Sequence, residues 1–166
     1  MSTAPKNRVL ARQVRQMPPP TFGALLRITW QHVRNQLLEA IHEAGFPEFQ
    51  DAHFAVFSFP LPDGVRPSDI ARQKNMSRQA INYLLVQLEG LGYVERRAGE
   101  GEAADRRLVY LTDSGWQIAD AIFGCLRRLQ GEWAQDIGRE RFDVFLDVLT
   151  ELAAKTQEKT VERSAR

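Results

Sequence analysis

Between Phe22 and Ala44 the apolar residues Phe22, Leu25, Leu26, Ile28, Trp30, Val33, Leu37, Leu38 and Ile41 recur at helical spacing. The pattern predicts one helix, closed by Gly45 as a left-handed cap. Its apolar positions fall on more than one face, so it requires more than one packing surface, which points to a subunit contact. The run Phe54 to Phe59 predicts a short helix beginning near Phe49 and stopped by Pro60 and Pro62, with Asp63-Gly64 as a turn.

The next stretch, RPSDIARQKNMSRQAINYLLVQLEGLGYVERR, is the most informative. Ser68 is the expected cap of a short helix through Lys74, and Asn75-Met76 a tight connection. Ser77 caps a second helix to about Leu91, which Gly92 ends. Val94 to Arg97 and Arg106 to Leu111 read as strands joined by the turn AGEGEAA. Thr112-Asp113-Ser114-Gly115 opens a long helix whose apolar side is marked by Trp116, Ala119, Ile122, Phe123, Leu126, Leu129, Trp133 and Ile137. Gly138 breaks it. A last helix carries Phe142, Phe145, Leu146, Leu149 and Leu152, and the polar end KTQEKTVERSAR is expected to fray. The fold class predicted is mainly α with a small β-wing, in the order helix, turn, helix, hairpin.

In such an arrangement the second helix is the one that enters the major groove. Ile81, Leu84, Leu88 and Leu91 make its core-facing stripe, which leaves Ser77, Arg78, Gln79, Asn82 and Tyr83 outward. Arg matches guanine, Gln and Asn match adenine, and Ser and Tyr donate to phosphate. The hairpin adds Arg96, Arg97, Asp105, Arg106 and Arg107, a basic set suited to phosphate or to a narrow minor groove.

Charge sharpens this picture only locally. The formal net charge of the 166 residues is +1, which does not by itself mark a nucleic-acid binder. It is sorted, however: no acidic residue precedes Glu39, and between Arg66 and Gln87 four basic residues face Asp69 alone. No apolar run reaches the length of a membrane span, and the basic start has no apolar leader segment. The single cysteine, Cys125, excludes an intrachain disulfide, fits a reducing cytoplasm, and sits among apolar neighbours that predict burial.

The chain resembles the MarR family of winged-helix regulators over roughly Phe22 to Leu152. The resemblance is carried by the stretch quoted above, then by DRRLVYLTDSG, then by the two helices that follow. It implies a homodimer whose first and last helices interlock, double-stranded DNA as partner, and recognition helices in successive major grooves. It also implies a wing arginine in the minor groove. Carried over, the reader positions are Ser77, Arg78, Gln79, Asn82 and Tyr83, and the wing positions Asp105 and Arg107. The link between the DRR triplet and the LT pair is shorter than is usual in the family, so Arg106 stands beside Arg107 as the inserted residue.

Read this way, residues 1–20 are a basic tail, 21–62 a dimerisation helix and linking helix, 63–112 the DNA-binding lobe, and 113–166 the C-terminal dimerisation helices. Many such regulators are repressors released by small aromatic ligands, and Trp30, His53, Phe57 and Trp116 are the candidate lining of such a pocket. The three histidines lack metal-ligand spacing, and no nucleophile, base and acid set is visible. No metal, cofactor or enzymatic activity is therefore expected. The rival reading is a winged-helix module that serves protein assembly and no longer reads DNA.

Overall fold

The computed structural model describes residues 20–57, 64–98 and 107–164, with side chains through residue 158. The described residues form two compact units, one ending at Gln36 and one beginning at Leu37.

The first helix, α1, runs Phe22–Glu43 and crosses that boundary. In the first unit Phe22, Leu25, Leu26, Ile28 and Trp30 are all exposed. In the second unit Leu37 and Ile41 are buried. Gly45 (φ 98°) ends α1 as expected: its N–H reaches the His42 carbonyl, and the Phe46 N–H reaches that of Ile41.

A short 3-10 turn, Asp51–His53, leads into α2, Phe54–Phe57. The helical segment thus begins two residues after the Phe49 expected from sequence. Phe49 instead fills the core, with edge-on contacts to Phe54, Phe57 and His53. Pro60, Pro62 and Asp63 lie outside the described residues.

The helix-turn-helix follows. The first helix, α3, spans Pro67–Gln73. Its cap is Arg66 rather than Ser68, because Pro67, which lacks an N–H and has a preset φ, takes the first helical position. Asn75 adopts a left-handed conformation (φ 51°), which its short polar side chain tolerates. The Met76 N–H then reaches back to the Ala71 carbonyl. The second helix, α4, spans Arg78–Gly90, capped by Ser77, whose Oγ accepts from the Ala80 N–H at 3.0 Å. Gly92 (φ 75°) closes it. Leu91 ends up half-buried at the cap rather than in the core-facing stripe, and Leu85 takes its place there.

Strands β1, Val94–Ala98, and β2, Arg107–Leu111, pair antiparallel with Val94 opposite Leu111 and Ala98 opposite Arg107. Val65 adds a third, one-residue rung against Val109, with both backbone bonds made. No sequence pattern announced that rung. It holds the approach to α3 against the wing. Gly64 beside it is obligatory, since a Cβ there would lie 2.4 Å from the Tyr110 ring.

Helix α5 spans Asp113–Ile137 and packs on β2 and on α6, Arg139–Ser164. Thr112 caps α5 through a 3.1 Å bond from the Gly115 N–H. The buried side of α5 is Gly115, Ile118, Ala119, Cys125, Leu129 and Ala134. Trp116, Phe123 and Ile137, expected inward, are exposed. At Gly115 α5 lies close against its neighbours: a Cβ there would come within 2.1 Å of the Tyr93 carbonyl oxygen. Gly138 (φ 88°) separates α5 from α6 as expected. In α6 Phe142 is buried, while Val144, Phe145, Val148, Leu149 and Leu152 are exposed. Helix α6 continues to Ser164, into the polar end.

Candidate nucleic-acid interface

The site is built on α4. Ile81, Leu85 and Leu88 are fully buried and Leu84 nearly so. Each such side chain contributes about 1.5–3 kcal/mol on burial. The helix is therefore fixed in rotation, and what lies opposite the stripe is fixed outward. Ser77, Arg78, Gln79, Asn82 and Tyr83 are all exposed, Tyr83 at 66%. All five lie at Ser77 or within the first six residues of α4, where the positive end of the helix dipole adds to their donors. They present donors and acceptors of the kinds that match base edges and phosphate oxygens.

The helix before it is polar on its outer side in a particular way. Asp69 accepts from Arg66 Nε at 2.8 Å and from Arg72 Nη2 at 2.9 Å. One carboxylate holds two guanidinium groups, of which Arg72 is 79% exposed. The local charge is therefore positive by one.

The wing places its arginines unequally. Arg107 is exposed and pairs with Ala98 at the end of the ladder. Asp105 and Arg106 lie outside the described residues. The Arg97 guanidinium carbon sits 4.0 Å from the centre of the buried Tyr110 ring, a cation–π contact. Arg96 differs from the expectation of a phosphate-facing wing residue. Its side chain is only 21% exposed, with Nε 3.1 Å from Glu89 Oε2 and Nη1 donating to Asn82 Oδ1 at 3.4 Å. It ties β1 to the outer flank of α4. Asn82 and Glu89 are seven residues apart, two helical turns, which is what lets one guanidinium reach both. That spacing was present in the sequence but has no meaning until β1 is laid beside α4.

Of the candidate pocket residues, His53 and Phe57 share Phe49 as a ring neighbour. His53 is buried, and its Nδ1 accepts from the Gln50 N–H at 3.0 Å, which leaves the proton of the neutral ring on Nε2. Burial holds its pKa below the ordinary 6.5, offset in part by the neighbouring Gln87 side chain. Trp30 lies in the other unit and is 56% exposed, with Arg34 over its ring. Trp116 is 43% exposed on α5. Cys125 is buried as expected, and burial raises its thiol pKa, with Arg128 nearby opposing the rise. Among the described residues no cluster of His, Cys, Asp and Glu could hold a metal ion, and no helix is long and apolar enough to cross a membrane.

No protein-family model matches the chain, and no curated protein matches it. Solved structures do. The crystal structure of MarR superposes with a TM-score of 0.71 at 19% identity, covering 89% of this chain and 98% of that one. The S. aureus MepR–DNA complex does so with a TM-score of 0.62 at 16% identity, covering 84% and 99%. The transcriptional repressor CouR, bound to a 23-mer DNA duplex, gives a TM-score of 0.57 at 20% identity, covering 80% and 92%. The chain has the winged-helix fold of these regulators.

Proposed function

We propose that the chain is a MarR-family transcription regulator: a homodimer that reads a pseudo-palindromic operator in double-stranded DNA and represses from it, released by a small aromatic ligand. The observation that carries the reading is the outward polar face of α4, Ser77, Arg78, Gln79, Asn82 and Tyr83, locked by the buried stripe behind it. Two of the similar structures hold DNA, which supports it.

In this reading α4 lies in the major groove, with Arg78 and Gln79 on base edges and Ser77 and Tyr83 on phosphates. Arg107, with Asp105 and Arg106, forms the wing that approaches the minor groove. The exposed apolar residues of α1 and of α6 support a second copy, which would cover them. Two reading helices would then lie one turn of DNA apart. Within the second unit His53, Phe57 and Trp116 remain the proposed effector-site residues, with His53 Nε2–H as a buried polar donor.

Sequencing of genomic fragments retained by the purified protein tests this directly. The expected result is an inverted-repeat consensus, and a dimer by sedimentation at micromolar concentration. Arg78→Ala should then cost about 1–3 kcal/mol of binding and relax specificity at one base pair of each half-site. Retention of no preferred sequence at any salt concentration would overturn the proposal and favour the protein-assembly reading.

A further inference from the structure

A free asparagine on a recognition helix pairs with adenine by using both edges of its amide, with Oδ1 accepting from N6–H and Nδ2–H donating to N7. Asn82 is not free in this sense. Arg96 Nη1 donates to its Oδ1 at 3.4 Å. A guanidinium carries only donors, so the amide oxygen must face Arg96; the reversed amide would set Nδ2–H against N–H groups. Nor is Arg96 free to leave. It stands on β1 opposite the fully buried Val109, is mostly shielded from solvent, and has the Glu89 carboxylate 3.1 Å from its Nε. Asn82 itself is exposed on the outer side of α4, on the same first turns as Arg78 and Gln79.

We propose that Arg96 is a positioning residue that sets what Asn82 reads. By turning the amide oxygen toward β1 it leaves the Nδ2–H donors to face DNA, so that Asn82 favours a base whose edge presents acceptors, guanine above all, and rejects cytosine, whose edge presents only a donor. Guanine offers O6 and N7, thymine O4, and adenine N7 alone beside its N6–H donors, whereas cytosine sets only N4–H against the amide N–H. The inference rests on the DNA-reading role proposed above and deepens it.

The test is selection and sequencing of bound duplexes from a randomised pool, using the full chain. The wild type should prefer guanine over cytosine by about five- to tenfold at one position in each half-site, with adenine not the preferred base there. Asn82→Ala should abolish the preference there and nowhere else. Arg96→Met, which frees the amide oxygen, should move that same position to adenine. Asn82→Asp keeps an acceptor for Arg96 but turns an acceptor outward, and should move the position to cytosine, whose N4–H donates. The Asp variant carries the test if Arg96→Met fails to fold, as judged by circular dichroism.

Adenine preferred by the wild type at the Asn82-dependent position, or an unchanged preference in folded Arg96→Met, would overturn the inference while leaving DNA reading intact. So would an Asn82→Ala profile identical to the wild type. A wild type without preference at any position would overturn both.

Discussion

Gly115→Ala sets two opposing effects against each other at one atom. Gly115 is the third residue of α5, and exchanging a helical glycine for alanine ordinarily stabilises by about 1 kcal/mol. The added Cβ, however, would stand 2.1 Å from the Tyr93 carbonyl oxygen and 3.1 Å from Leu111 Cβ. The first contact is with backbone, which cannot swing aside, and that carbonyl already accepts the Thr112 N–H at 3.2 Å. Relief requires a main-chain shift of roughly 1 Å, at the upper end of the 1–3 kcal/mol typical of overpacking. The clash therefore wins, and the expected net loss is about 1–2 kcal/mol. For a chain of this size that is a fall in Tm of roughly 2–8 °C. Gly124→Ala and Gly131→Ala are the internal controls, because a Cβ at either meets nothing within 4 Å on the same helix. Each should be neutral or stabilising by up to about 1 kcal/mol. Urea denaturation followed by far-UV circular dichroism, at one fixed protein concentration, reads all three. If Gly115→Ala proves as stable as Gly124→Ala, the close approach of α5 to the root of β1 is wrong.

Two further expectations concern α4 and the core beneath it. Ser77→Ala removes the Oγ bond to the Ala80 N–H and should lower stability by about 1 kcal/mol, measured as the urea midpoint. Ser77→Asp keeps the cap, so its midpoint should match the wild type while DNA affinity in gel shifts falls through repulsion of phosphate; a loss of stability equal to that of Ala would refute the capping role. His53 has its pKa held below 6.5 by burial, so the unfolded chain binds the extra proton first as pH falls. Stability should therefore be full above that value and decline as pH drops from 6.5 toward the depressed folded pKa. His53→Phe should flatten this part of the profile, and an unchanged slope between wild type and variant would show that His53 does not cause it.

Much of the fold is legible in the sequence because its boundaries are marked by residues with few other uses. Gly45, Gly92 and Gly138 stop helices at positive φ, and Ser77 and Thr112 start them with a side-chain acceptor. The outward face of α4, which carries the candidate site residues, follows from its period alone, since burying Ile81, Leu84 and Leu88 leaves no choice about what faces out. What periodicity misses is tertiary. Val65 is a single rung, too short to carry a pattern. The inward face of α5 is set by what packs on it: Ile118, Ala119, Cys125, Leu129 and Ala134 are buried with Gly115, while Trp116 and Phe123 are exposed. Arg96 looks like any wing arginine until β1 is placed beside α4 and its guanidinium meets Asn82 and Glu89. The polar tail of α6 stays helical because Glu, Lys and Gln are good helix formers and no glycine or proline interrupts them.

The Thr112 hydroxyl makes two bonds at once: it accepts from the Gly115 N–H and donates to the Gly92 carbonyl at 2.6 Å. One oxygen thus fastens the first turn of α5 to the residue that closes α4. Two elements that are separate in sequence are thereby joined by one side chain, so a substitution at Thr112 loosens both ends together.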